Sequence, residues 1–140
     1  MKKLFSGLLM AVAMVFSNGV MAEGEQPATI PGAKTVTAEE LIALVDDLDN
    51  LVIIDARSQS DYDKGHIPDV VRIKNDDVTP EKLAEAIDSK DSPVAFYCNS
   101  ITCPRSADAA SKAYAAGYTN IYWFRGGIAE WREKGYPVEM

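Results

Sequence analysis

Two cysteines, Cys98 and Cys103, and the arginine that follows them, Arg105, are the residues of this chain best suited to chemistry. They lie in the run Phe96-Tyr97-Cys98-Asn99-Ser100-Ile101-Thr102-Cys103-Pro104-Arg105-Ser106. A cysteine attacks as its thiolate, and an ordinary pKa of about 8.5 leaves it mostly protonated at neutral pH. Among unpaired backbone N–H groups at the positive end of a helix, that value falls to about 3.5–7.5. The same surroundings welcome an anionic substrate. Against this stands the common fate of a single cysteine, burial as an inert core residue. Cys98 sits where an apolar run stops, not within it.

The neighbouring elements supply that placement. Val94-Ala95-Phe96-Tyr97 reads as a buried strand ending at Cys98, and Ser106 to Tyr114 as a small-residue helix closed by Gly117. Upstream, Thr37-Ala38-Glu39-Glu40 has the form of a capping box. Leu41, Leu44, Val45 and Leu48 follow at helical spacing and predict one buried face. Leu51 to Ile54 is a continuous apolar run, expected of a strand covered on both sides, and it ends at Asp55. A short helix over Gln59–Lys64, stopped by Gly65, precedes the extended pair Ile67-Pro68. Val70–Ile73 is a short strand, Thr79-Pro80-Glu81 opens a helix, and Ile121–Phe124 is a strand. Gly126-Gly127 turns into a last short helix with Ile128 and Trp131.

Strands alternating with helices predict an α/β domain, a mainly parallel central sheet flanked by helices on both faces. In such sheets ligands bind beyond the carboxyl ends of the strands. Asp55, Cys98 and Arg125 each follow a strand and are expected on one edge. No internal repeat divides the chain.

The beginning of the chain reads differently. Lys2-Lys3, an apolar stretch from Leu4 to Phe16 and the small-residue site Val20-Met21-Ala22 have the pattern of a secretory signal, too short to span a bilayer. The expectation is a cleaved signal peptide at 1–22, a flexible lead-in at 23–34 and one domain at 35–140, exported and periplasmic. Cleavage takes the formal charge from −7 to −9. An acidic chain without a Lys/Arg block does not suit nucleic acid or an anionic membrane surface. Two cysteines and one histidine are too few for a disulfide framework or a zinc site, so no metal is expected.

From about Thr35 to Met140 the sequence resembles a rhodanese domain, of the sulfurtransferase family. Asp55-Ala56-Arg57, then Asp61-Tyr62, then Gly65-His66-Ile67-Pro68 is similar to that family's first signature. Gly117-Tyr118, Ile121-Tyr122, Gly126-Gly127-Ile128, Trp131 and Gly135-Tyr136-Pro137-Val138 resemble its last. Cys98 stands in the place of the family's catalytic cysteine. The loop departs from the usual one: Arg105 and Ser106 come seven and eight positions after Cys98 rather than five and six, with no Gly between. Related phosphatases of this fold need Arg six positions after the cysteine, where this chain has Pro104.

The resemblance implies a double displacement without a cofactor. Cys98 takes a sulfane sulfur from a small anionic donor such as thiosulfate, holds it as a persulfide, and yields it to a thiol or cyanide-type acceptor, small or carried by a partner protein. Asn99, Ser100, Ile101, Thr102, Cys103 and Arg105 would bind the donor and its charge through their N–H groups. Arg105 either holds an oxyanion or is a solvated first-turn residue. Asp55 and Arg57 read as a bracing pair, and His66 as a structural histidine, since a preformed thiolate needs no base. Trp123 and Trp131 read as core or rim, and Arg125 could line the mouth of the site.

Two other functions remain open. Cys98 and Cys103 could cycle between dithiol and disulfide as a redox protein, or the domain could be a silent module that binds a partner. Both thiols are expected free in the active form, a disulfide between them requiring rearrangement of a loop stiffened by Pro104.

Overall fold

The computed structural model describes residues 24–140, so the signal peptide and cleavage site expected at 1–22 lie outside the described residues. The chain runs β1 (Ala33–Thr35), α1 (Ala38–Asp47), β2 (Val52–Asp55), α2 (Gln59–Asp63) and β3 (Val71–Arg72). A 3-10 turn at Asn75–Asp77 leads to α3 (Pro80–Ala86), β4 (Val94–Tyr97), α4 (Arg105–Ala115), β5 (Ile121–Phe124) and α5 (Gly127–Glu133). The five strands form one sheet in the order β1-β5-β4-β2-β3, and every pairing is parallel.

A parallel sheet needs cover on both faces. Ile54, Val94, Phe96 and Ile121 turn to one side and pack with Leu83 of α3 and Ala109, Ala110 and Ala113 of α4. Ile53, Ala95, Tyr97 and Phe124 turn to the other, against Leu41 of α1 and Ile128 and Trp131 of α5. Small residues on α4 let that helix lie close to β4, all four residues of which are buried. This is the α/β architecture the patterns predict.

Helix starts also follow their sequence signals. Thr37 Oγ1 accepts the N–H of Glu40 and the Glu40 carboxylate accepts that of Thr37, each at 3.2 Å. Thr79 Oγ1 accepts the N–H of Lys82 behind Pro80. Val45 departs from its expected burial and is 51% exposed. It borders a hollow of about 180 Å³ between α1 and the Ile67–Pro68 segment, where the core does not reach.

The lead-in is not loose. Ala33–Thr35 pairs with Ile121–Trp123 as an edge strand. Ahead of it, Gln26 N–H donates to the carbonyl of Ile101 at 2.7 Å, and Thr35 Oγ1 donates to Ala28 O at 2.9 Å. Three residues of mixed polarity carry no readable alternation, and such distant backbone bonds leave no local trace in the sequence.

Candidate active site

Register sets the site. Asp55, Tyr97 and Phe124 are neighbours across β2, β4 and β5, so the chain leaves three adjacent strands at one edge. Cys98 is the first residue beyond the central strand and is 1% exposed. Its backbone is gripped from the far side: Ile128 N–H donates to Cys98 O at 3.0 Å, and Ala129 N–H to Asn99 O at 2.9 Å. Gly127 makes this approach possible. Its φ is +61°, and a Cβ there would overlap the Cys98 carbonyl oxygen and come within 2.9 Å of the Asn99 carbonyl carbon.

A buried polar network braces the same edge. The Asp55 carboxylate accepts Arg57 Nε at 3.0 Å, Arg57 Nη2 at 2.8 Å and the Tyr97 hydroxyl at 2.6 Å. Arg57 Nη2 also donates to Gly65 O at 2.9 Å, and Tyr97 Oη accepts the N–H of Ile67 at 3.2 Å. Burial works against the guanidinium charge, but the hydrogen bonds and charge of Asp55 outweigh it and hold Arg57 above its ordinary pKa. Burial first, then the charge of Asp55, pushes the Tyr97 phenol far up, so it stays a donor. Taking one member from such a buried pair costs about 3–5 kcal/mol, because the other charge is stranded.

The network reaches the cysteine loop through Asn99. Arg57 Nη1 donates to Asn99 Oδ1 at 3.3 Å, and Asn99 Nδ2 donates to Asp61 Oδ2 at 3.2 Å. Arg105 Nη1 lies 3.5 Å from the same Asp61 oxygen. The Asn99 hydrogen bond is the main cause that holds the Asp61 carboxyl below its usual range, with the charges of Arg57 and Arg105 adding to it. Asn99 therefore meets a partner with its side chain as well as offering an amide. Asp61, Tyr97 and Gly127 do not stand out as site residues in the sequence, since the Asp61–Asn99 and Tyr97–Asp55 bonds and the approach of Gly127 to Cys98 each join positions tens of residues apart. For Asp61 and Gly127 the one available signal was their presence in the two signatures; Tyr97 stands in neither.

Between Asn99 and α4 the loop folds back on itself. Cys103 N–H donates to Ser100 O at 3.0 Å, and Thr102 N–H to Ser100 Oγ at 3.4 Å. Those two amides serve the turn, a correction to the expectation that all amides from Asn99 to Arg105 face the sulfur. The turn carries Cys103 to a Cα–Cα distance of 6.2 Å from Cys98, and the two are joined by a disulfide. The separation falls in the usual 4.4–6.8 Å range for a disulfide. Ser100 and Cys103 are half-buried, whereas Ile101 and Thr102 are exposed at the tip. α4 begins behind Pro104 with no side-chain cap, leaving the N–H groups of its first turn to other partners. Ser106 Oγ accepts Trp123 Nε1 at 2.9 Å, which fixes that turn to the sheet and places Trp123 in the core.

His66 packs away from this chemistry. Its ring stacks on Tyr62 at 3.7 Å, Nδ1 lies 3.0 Å from Tyr62 O, and its backbone pairs with Glu139. Arg125, read as a lining residue of the mouth, donates to Pro27 O, Gln26 O and the Glu25 carboxylate and so fastens the lead-in. Among the described residues no group of three or more His, Cys, Asp and Glu side chains converges as a metal site would. A hollow of about 900 Å³ runs along β3 and α3 past Arg72, Lys74 and Lys82, and no residue of the Cys98 loop lines it.

The sequence profile of the rhodanese-like domain matches residues 37–134. The chain belongs to the rhodanese-like domain family. Among its relatives is a tRNA uridine(34) hydroxylase from Photorhabdus laumondii, 30% identical over 132 residues. That match covers 86% of this chain and 36% of the hydroxylase, so the chain spans about a third of the length of the curated relatives it matches. The fold of this rhodanese-like domain is shared by a thiosulfate sulfurtransferase from Pseudomonas aeruginosa, with a TM-score of 0.65 and 23% identity. The overlap covers 76% of this chain and 20% of that one. The BH2092 protein from Bacillus halodurans shares it too, with a TM-score of 0.68, 22% identity and coverage of 76% and 77% of the two chains.

Proposed function

We propose that this rhodanese-like domain is a sulfurtransferase that moves a sulfane sulfur from a thiosulfate-type donor to a thiophilic acceptor through a persulfide on Cys98. The observation that carries the reading is the placement of Cys98, held by its own carbonyl at the end of the central strand, in a loop running into an uncapped helix. In the reduced protein the Cys98 thiolate attacks the outer sulfur of thiosulfate, and sulfite leaves with the electron pair of the broken S–S bond. The negative outer sulfur then faces the amides of the loop and of the first turn of α4. An acceptor thiol or cyanide removes it.

Arg105 meets the donor's oxygens, tempered by Asp61. Asp55, Arg57, Tyr97 and the side chain of Asn99 keep the strand ends and the loop in register rather than touch the donor. The reaction is proposed to take place after export to the periplasm, in keeping with the pattern read at residues 1–22. It requires no cofactor, nucleic acid or membrane.

The Cys98–Cys103 disulfide favours a second reading, in which the same pair exchanges electrons with external dithiols. The two readings part in one assay. Steady-state sulfite release from thiosulfate, with a dithiol present to keep the loop reduced, should fall to the uncatalysed level in Cys98→Ser, because serine neither ionises nor holds sulfur. Turnover that survives in Cys98→Ser refutes the transferase reading.

A further inference from the structure

We propose that Cys103 is an internal acceptor for the sulfur that Cys98 takes up, so that the domain releases hydrogen sulfide and stops as the observed disulfide until an external dithiol reopens it. The inference rests on the reading of Cys98 as the sulfur-accepting nucleophile. The bond present joins the Sγ of Cys98 to that of Cys103. That is the product expected when the Cys103 thiolate attacks the inner sulfur of a Cys98 persulfide.

The step balances. A new S–S bond forms between Cys103 and Cys98 Sγ, the bond from Cys98 Sγ to the transferred sulfur breaks, and its electron pair leaves on hydrosulfide. Over a full turn thiosulfate and two cysteine thiols become sulfite, hydrogen sulfide and one disulfide. The sulfane sulfur is reduced and the cysteines are oxidised. A dithiol then exchanges with the bridge and restores both thiols.

Three observations favour this over a structural staple. The bridge spans only five positions, and closing so short a loop constrains the unfolded chain least. The strand end it would brace is already held by Ile128 and Ala129 through the carbonyls of Cys98 and Asn99. Burial also differs between the partners: Cys98 is 1% exposed and Cys103 is half-buried. An external dithiol therefore meets Cys103 first and expels Cys98, whose thiolate has the helix end to stabilise it as a leaving group.

The test is a single turnover. The full chain is reduced, freed of reductant under argon and mixed with excess thiosulfate, and sulfite, sulfide and intact mass are measured for wild type and Cys103→Ser. The expected result is one sulfite and one sulfide per wild-type chain, which ends two hydrogen atoms lighter. Cys103→Ser should give one sulfite, no sulfide and a chain one sulfur atom heavier. Wild type that releases sulfite yet keeps the extra sulfur overturns the internal acceptor and leaves the chemistry of Cys98 standing. Sulfide from Cys103→Ser at the wild-type amount overturns it as well. No sulfite from either protein overturns the reading of Cys98 itself.

Discussion

Arg105 faces Asp61 across 3.5 Å, with Asn99 donating to the same carboxylate. The charge an anionic donor meets at the loop is therefore partly cancelled before it arrives. Both partners are about a third exposed, where such pairs are worth at most about 1 kcal/mol. Asp61→Asn keeps an oxygen for Asn99 and removes the charge. It should lower KM for thiosulfate by up to about fivefold with kcat unchanged, a gain steady-state kinetics would read directly. The native contact also has a pH dependence of fixed sign. Because the folded carboxyl sits below its ordinary 3.8, its contribution to stability is complete above that value and is lost as pH falls through the lower folded value. A carbon-13 titration of the Asp61 carboxyl should show a midpoint below 3.8; a midpoint at or above it would remove Asn99 from the account.

At the scale of elements, the approach of α5 to the cysteine loop is the contact that holds Cys98, the proposed nucleophile, at the strand end. Gly127→Ala puts a side chain against the Cys98 carbonyl at a positive φ, with a cost of about 1–3 kcal/mol from backbone strain alone. The loop must yield, and displacing a reacting group by about 1 Å costs roughly a hundredfold in rate. Gly135→Ala is the control, since its φ of +76° carries similar strain but nothing lies within 4 Å of the added Cβ. Urea unfolding should show both variants destabilised, with sulfite release falling in Gly127→Ala alone. Equal activity in the two would mean that the grip on Cys98 is incidental.

The elements themselves were legible where burial repeats with a clear period. Val94–Tyr97 and Ile121–Phe124 stand out because both faces of the strand are covered and every residue turns apolar. β1 was not legible, because three edge residues pair through backbone groups that any side chain could carry. Val45 misled for another reason: its spacing fits a buried stripe, but Ile42 and Leu44 are the neighbours of Leu41 that pack on the core.

On the scale of the whole molecule, the formal net charge of −7, or −9 after the expected cleavage, opposes a dianionic donor before any local contact forms. Raising the salt from low ionic strength to about 0.1 M shortens the reach of that field to about 10 Å. Then kcat/KM for thiosulfate should rise several-fold while the value for an uncharged donor stays constant. A fall with salt would mean that Arg105 and the helix end dominate the approach. The site as a whole was half legible. Cys98, Asp55 and Arg57 declare themselves by following strands, and a parallel sheet gathers strand ends at one edge. The Asn99–Asp61 bridge, the Tyr97 hydroxyl on Asp55 and the lead-in clasped by Arg125 join residues far apart in the chain and of types common on any surface. Nor did the stiff loop announce that it would close on its own second cysteine, since the Ser100–Cys103 turn that closes it is a backbone bond.

The measurement that bears most directly on the central claim is rapid-quench sulfite release from reduced protein mixed with excess thiosulfate and no external acceptor. A persulfide on Cys98 predicts a burst of one sulfite per chain, followed by no further release, and no burst from Cys98→Ser. An equal burst from Cys98→Ser, or no burst from the reduced wild type, would contradict it.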